Sequence, residues 1–238
     1  NYDELFPEII GEDLGLNTLT NPKFNFNNFS SNLGTRYTIN KGENIYFNYS
    51  ISSRKPNPSE LFSEGLHHSS ARIEIGDLSF NSEVGHNISL TYNFANEKSN
   101  LTVNSFANYV NDFIYIIPVD LMPTIAGVFP YWEYKQEDAK LFGFDIKYDR
   151  QYFNNFFVGH QFSLIKGYER ENNKPLINMP PANLKNQISY NFPDFNNLNI
   201  SLESEFVFRQ NEYPNNNFEV YIPTEQTYEW LDTSTPPG

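Results

Sequence analysis

Glu83-Val84-Gly85-His86-Asn87-Ile88-Ser89-Leu90-Thr91-Tyr92-Asn93-Phe94 alternates between two kinds of side chain. Val84, His86, Ile88, Leu90, Tyr92 and Phe94 share one face of an extended chain. Glu83, Gly85, Asn87, Ser89, Thr91 and Asn93 share the other, because successive side chains of a strand point to opposite sides. A helix would scatter both sets around its axis. The pattern recurs at 198–209, where Leu198, Ile200, Leu202, Phe206 and Phe208 oppose Asn199, Ser201, Glu203, Glu205 and Arg209. It recurs at 142–148 (Phe142, Phe144, Ile146 and Tyr148 against Gly143, Asp145 and Lys147). At 156–164, Phe156, Val158, Phe162 and Leu164 oppose Gly159, Gln161 and Ser163. Weaker runs lie near 28–39, 45–53, 100–117 and 184–192. About eight strands are predicted, several longer than the ~5–6 residues usual in globular sheets and sufficient for the ~9–11 of a tilted membrane strand.

The connections carry a second signal. Short polar turns are read at 40–44, 95–99, 149–151 and 193–197, and long segments at 55–81, 118–136, 168–183 and from 211 onward. Short and long alternate, as in a membrane barrel with tight turns on one side and long loops on the other. Greek-key connections of a sandwich have no reason to keep that alternation. The faces opposite the apolar ones are mostly Asn, Ser, Thr, Gly and Gln, which suits a wet, enclosed lumen. The fold class expected is all-β: an antiparallel meander forming part of a large transmembrane β-barrel. The alternative is a secreted or surface-anchored β-sandwich that binds glycan or protein, with a small closed barrel as a third possibility.

Composition narrows the partners. The chain of 238 residues has a net charge of −13, which argues against nucleic acid, since that selects basic surfaces. Hydrophobic residues are 39%, yet Tyr 16 and Phe 22 stand beside Trp 2. Many aromatics with few aliphatics suit a thin apolar skin with aromatic belts better than a thick interior. There is no Cys, and no apolar window approaches the ~20 residues of a membrane helix. The chain opens Asn1-Tyr2-Asp3-Glu4 and closes Thr235-Pro236-Pro237-Gly238, both of which read as loop interior, so a fragment is expected.

No catalytic constellation is visible: no nucleophile elbow, phosphate loop or His-Glu-x-x-His. The expectation is a non-enzyme without a cofactor. His86 and His160 alternate with apolar residues and read as interfacial positions. His67-His68 lies in the long segment 55–81 and offers imidazoles to a metal or haem iron. Neighbours in an extended segment point apart, which works against one atom held by both. Arg54, Asn57, Glu60 and Arg72 stand on or beside the same segment and can hydrogen-bond a polar chelate. These six are the ligand-binding candidates. Glu4, Glu8, Glu12 and Asp13 form an acidic cluster read as a solvated loop.

The stretch 54–76, RKPNPSELFSEGLHHSSARIEIG, resembles a signature of TonB-dependent outer-membrane receptors in the form common among Bacteroidetes. Ser82-Glu83 with Asn87, NYVNDFIY at 108–115, AKLFGFD at 139–145 and PLINMPP at 175–181 resemble further landmarks in the expected order. The resemblance implies a barrel of about 22 strands around a plug domain. Residues 1–238 would be its C-terminal part, with 1–24 and 211–238 as extracellular loop segments and the plug and closing strands outside. It also implies outer-membrane lipid as surroundings, a small metal chelate such as a ferric siderophore as ligand, and a TonB-type energy-coupling complex as partner through the N-terminal region. Arg54-Lys55-Pro56-Asn57 partly resembles the first box of haem receptors, though Lys55 departs from it, and Gly76-Asp77-Leu78-Ser79 matches the second poorly.

Overall fold

The computed structural model describes residues 23–215, 218–222 and 224–231. In chain order the elements are β1 (Ser30–Asn40), β2 (Glu43–Arg54), a helical turn α1 (Pro58–Phe62), β3 (Glu64–His67), β4 (Arg72–Ile75), β5 (Glu83–Ala95), β6 (Ser99–Thr124) and β7 (Gly127–Tyr152). Then follow β8 (Phe156–Glu169), β9 (Asn183–Phe192), β10 (Leu198–Val207), β11 (Phe218–Ile222) and β12 (Thr227–Leu231). The main path of the sheet runs β1-β2-β5-β6-β7-β8-β9-β10, each strand antiparallel to the next. β11 and β12 form a separate hairpin. This is a meander of sequential hairpins, not two packed sheets, so the sandwich alternative falls.

The register explains the alternation read in the sequence. One row runs unbroken across the eight strands of the path: Tyr37, Ile45, Tyr92, Val103, Ile146, Phe162, Leu184 and Phe206 are mutual partners. One residue along, on the opposite face, the row begins Arg36, Tyr46, Thr91, Asn104, Asp145 and Ser163. Thr91 donates to Asn104 at 2.8 Å within it. A one-residue slip would exchange the two faces, so the register is strongly specified. Leu33, Phe47, Ile88, Leu90, Ile200 and Leu202 lie on the apolar face and are exposed. A face of that size needs an apolar surrounding. On the polar face, Phe106 fills the space over Gly143, where an added Cβ would lie 2.8 Å from the Phe106 ring.

Three expectations are corrected. The segment 118–136 is not an irregular loop: β6 and β7 continue through it as a hairpin with 26 residues in each arm. At ~3.3 Å per residue each arm spans about 85 Å, far more than a bilayer requires. Pro118 and Pro123 hid this continuation. They are tolerated because β6 pairs with β5 only as far as Asn111, so beyond it one β6 edge has no strand of this sheet against it. The turn expected at 149–151 lies instead at 153–155, where Phe153 takes a positive φ of 43° and two Asn follow. Segment 55–81 contains α1 and the β3–β4 hairpin rather than loop alone. The acidic cluster Glu4, Glu8, Glu12 and Asp13 lies outside the described residues, as do 1–22 and 232–238 of the expected loop segments.

Among the described residues, one cluster of buried apolar side chains joins the β2–β5 connection to the sheet. Leu61, Phe80 and Ile114 form a cluster, with Phe26 and Tyr134 against it, at the long-loop end. β4 explains how. It pairs in parallel with β7, Ile73 opposite Tyr131 and Ile75 opposite Glu133. β6 occupies one edge of β7, and β8 leaves the other free beyond the Ala139–Glu169 pair. β4 takes that free edge and folds the β2–β5 connection onto the β6–β7 hairpin.

Candidate functional site

The candidate site is the long-loop end. Arg54 closes β2, and its guanidinium forks onto Glu83 at the start of β5, with Nε to Oε2 at 2.7 Å and Nη2 to Oε1 at 2.6 Å. Its Nη1 donates to both oxygens of Glu60, at 3.1 and 2.9 Å. The Glu60 and Glu83 side chains are almost covered, whereas Arg54 remains 45% exposed. Glu83, and less strongly Glu60, hold the guanidinium above its ordinary pKa against the opposing effect of burial. Glu83 Oε1 also accepts the Ile114 amide at 2.7 Å.

Asn57 and Glu60 form a reciprocal cap on α1. The Glu60 amide donates to Asn57 Oδ1 at 2.9 Å, and the Asn57 amide to Glu60 Oε2 at 2.7 Å. Asn-Pro-x-Glu is a known start signal for a helix, here with Pro58 in the first turn.

Arg72 stands elsewhere. Its Nε donates to Glu74 at 2.7 Å, and its guanidinium lies 4.6 Å from the Trp132 ring centroid. The Tyr134 hydroxyl donates to Glu74 at 3.3 Å; burial, then the Glu74 charge, raise its pKa and keep it a donor. His67 ends β3, and its Nδ1 lies 3.1 Å from both the Ser69 and Ser70 hydroxyls. His67 and His68 are both exposed at the turn. Among the described residues no group of three or more His, Cys, Asp or Glu could hold a metal ion.

The structure therefore divides the six candidates. Arg54, Asn57 and Glu60 come together and bond one another. His67, His68 and Arg72 share the β3–β4 turn, about which solvent is open. Sequence reasoning missed Glu83, Glu74, Trp132 and Tyr134, because their partners lie far along the chain. It also missed the buried Glu169, which accepts from Tyr115 at 2.9 Å. His86 meets the Tyr49 hydroxyl at 2.8 Å, and His160 meets Asn186 at 2.8 Å, so both serve the sheet face.

A second polar region lies on the sheet. A cavity of about 530 Å³ is lined in part by Lys147, Asp149, Gln161, Lys185, Gln187 and Glu203. Lys147 pairs with Asp149, and Lys185 with Glu205, each at 3.5 Å.

The family model described as "TonB dependent receptor-like, beta-barrel" matches residues 8–234. No curated protein sequence matches the chain. Among solved structures, a copper transporter, OprC, aligns with a TM-score of 0.65 at 16% identity, covering 79% of this chain and 27% of that one. The siderophore receptor PirA from Pseudomonas aeruginosa aligns at 0.58 and 14% identity, over 74% of this chain and 33% of that one. The FrpB iron transporter from Neisseria meningitidis aligns at 0.53 and 14% identity, over 76% and 27%. The chain spans about a third or less of the length of these structures. At such identities the likeness speaks for the fold. The match over 8–234 and the meander with its unbroken apolar row lead to one conclusion: the chain belongs to the TonB-dependent receptor family, as a segment of its β-barrel domain.

Proposed function

We propose that the chain is the C-terminal part of an outer-membrane receptor in a Gram-negative bacterium, importing a scarce nutrient by energy coupling. The substrate proposed is a ferric siderophore or a similar small metal chelate. His67, His68 and Arg72 are the proposed ligand-contacting residues. The observation that carries this reading is the asymmetry of the sheet: one end has tight turns, and the other has a folded, partly buried loop assembly with an exposed polar turn. Binding residues commonly sit on loops that a rigid scaffold positions. The apolar face of the strands would meet outer-membrane lipid, and a TonB-type complex would drive release. The copper, siderophore and iron carried by the structural relatives support a metal chelate. The family is one of transport receptors, which supports uptake over catalysis.

The test is growth of a deletion strain under iron restriction, supplied in turn with a ferric trihydroxamate, a ferric tricatecholate, haem and cobalamin. Loss of growth on one ferric chelate, restored by the gene, is expected. Undiminished growth on every source refutes the reading. In the complemented strain, replacing both His67 and His68 by Ala separates the ligands. Loss of haem-dependent growth alone moves haem ahead of siderophore.

A further inference from the structure

We propose that the β2–β5 connection is a prefolded capture arm, and that Arg54 and Glu74 are its two positioning residues, fixing where the 67–72 turn stands without touching ligand. This rests on the reading of that turn as ligand-contacting.

The root of the arm is clamped at Arg54. One guanidinium joins Glu60 of the arm to Glu83 of the barrel wall, and Glu83 in turn holds the Ile114 amide. Asp112, two residues earlier, has a positive φ of 57° at a register shift of β6 against β7. The root is thus tied to two strands and to the base of the long hairpin at once.

The middle is clamped at Glu74. Its side chain is buried and gathers the Arg72 guanidinium, the Tyr134 hydroxyl and, at 3.5 Å, the Ser70 hydroxyl. Ser70 reaches His67 Nδ1 at 3.1 Å. Arg72 and Ser70, and His67 through Ser70, therefore hang on one carboxylate fixed to the β6–β7 hairpin. Between the clamps the arm is stitched to itself: the Gly76 amide donates to Ser63 at 2.7 Å and the Asp77 amide to Glu60 at 2.9 Å. The approach is close enough that a Cβ on Gly76 would lie 2.6 Å from the Glu60 carbonyl oxygen. Leu61, Phe80 and Ile114 keep water from beneath.

The eight-strand path of the sheet keeps its register without β3 and β4. What the arm gains is presentation. A turn already ordered loses less freedom when it binds, and that saving appears as affinity. Glu74 turns its carboxylate into the arm, and Arg54 spends its guanidinium on Glu60 and Glu83, so both act through the turn.

The test uses the full-length receptor in a cysteine-free background. Spin labels go on Ser69→Cys in the turn and Tyr109→Cys in the wall. A single narrow distance distribution is expected, at least doubled in width by Arg54→Gln or by Glu74→Gln, and intermediate in Arg54→Lys, which keeps the charge but loses the fork. In unlabelled receptor at normal surface abundance, either Gln variant should raise KM about ten-fold for the chelate selected by the growth panel, with Vmax within two-fold. An unchanged width in both Gln variants overturns the proposal. So does an unchanged KM with Vmax falling alongside surface abundance, which would mark a folding role only. The distance measurement decides the arm even where the growth panel selects no chelate, so the two readings fail separately.

Discussion

Glu83→Ala should open the base of the β6–β7 hairpin more than any change at the 67–72 turn. Glu83 accepts the Arg54 fork and the Ile114 amide. Ile114 is 6% exposed, so its freed N–H would have little water to turn to. An unsatisfied buried donor costs about 1–3 kcal/mol. The lost ion pair adds about 1 kcal/mol, kept small because Arg54 is 45% exposed and retains Glu60. The local cost is then about 2–4 kcal/mol. At ~1.4 kcal/mol per tenfold, the Ile114 amide should exchange roughly 30- to 700-fold faster. Glu83→Gln separates the contributions. Its amide oxygen can still accept from Ile114, and only the charge is lost, so about five-fold is expected. The assay is hydrogen exchange of full-length receptor in micelles, read on peptides covering 111–117 with the 86–92 segment as internal reference. Equal exchange in Glu83→Ala and wild type refutes the argument. Gln as damaging as Ala would locate the energy in the ion pair and not in the amide.

Three further outcomes are expected. Labels at Leu90 should be reached by a lipid-soluble quencher in bilayers and labels at Ser89 should not; the reverse pattern would mean the faces are misassigned. The 238-residue chain alone should not give monodisperse, cooperatively unfolding material in aqueous buffer, because β1 and β10 are open edges of the sheet and its apolar face is bare. Glu137, beyond the bilayer in the β6–β7 hairpin, has its pKa raised above 4.5 by burial and then by the Glu169 charge, with Lys135 and Lys174 opposing. A raised carboxyl means the folded state binds more protons, so stability is lost as pH rises from 4.5 through the raised value. The effect is small, since Glu137 is exposed. The Arg170 amide, corrected for intrinsic rate, should exchange faster across that window, and Glu137→Gln should remove the trend.

The strands were legible because a membrane sheet writes its environment into every second residue. The reading of 83–94 matches β5 at Glu83–Ala95, and 184–192 matches β9 at Asn183–Phe192. Where the environment changes, the code fades. Above the level of Val110 neither face of the β6–β7 hairpin is forced to meet lipid, and Pro118 and Pro123 read as breaks in the strand that continues through them. The turn after β7 was misplaced because Asp149-Arg150-Gln151 is polar enough to read as a turn, yet Gln151 still donates to Lys98 O at 2.7 Å within the sheet.

The site was legible only as a location. Segment 55–81 reads as a loop bearing five useful side chains with Arg54 at its entrance, but what each side chain does depends on partners far along the chain. Arg54 resembles a chelate donor until Glu83, 29 residues on, takes its fork. Glu74 looks like a solvated acid until Tyr134, 60 residues on, reaches it. The local part of the message was present: Asn57-Pro58-Ser59-Glu60 spells a helix cap, and a helix cap already commits Asn57 and Glu60 to the backbone. That commitment gives both a scaffold role, and Arg54, which donates to Glu60, shares it. The same logic leaves the exposed His67 and His68, on a turn with no such local signature, as proposed ligand contacts, with Arg72 beside them held by Glu74 and Trp132.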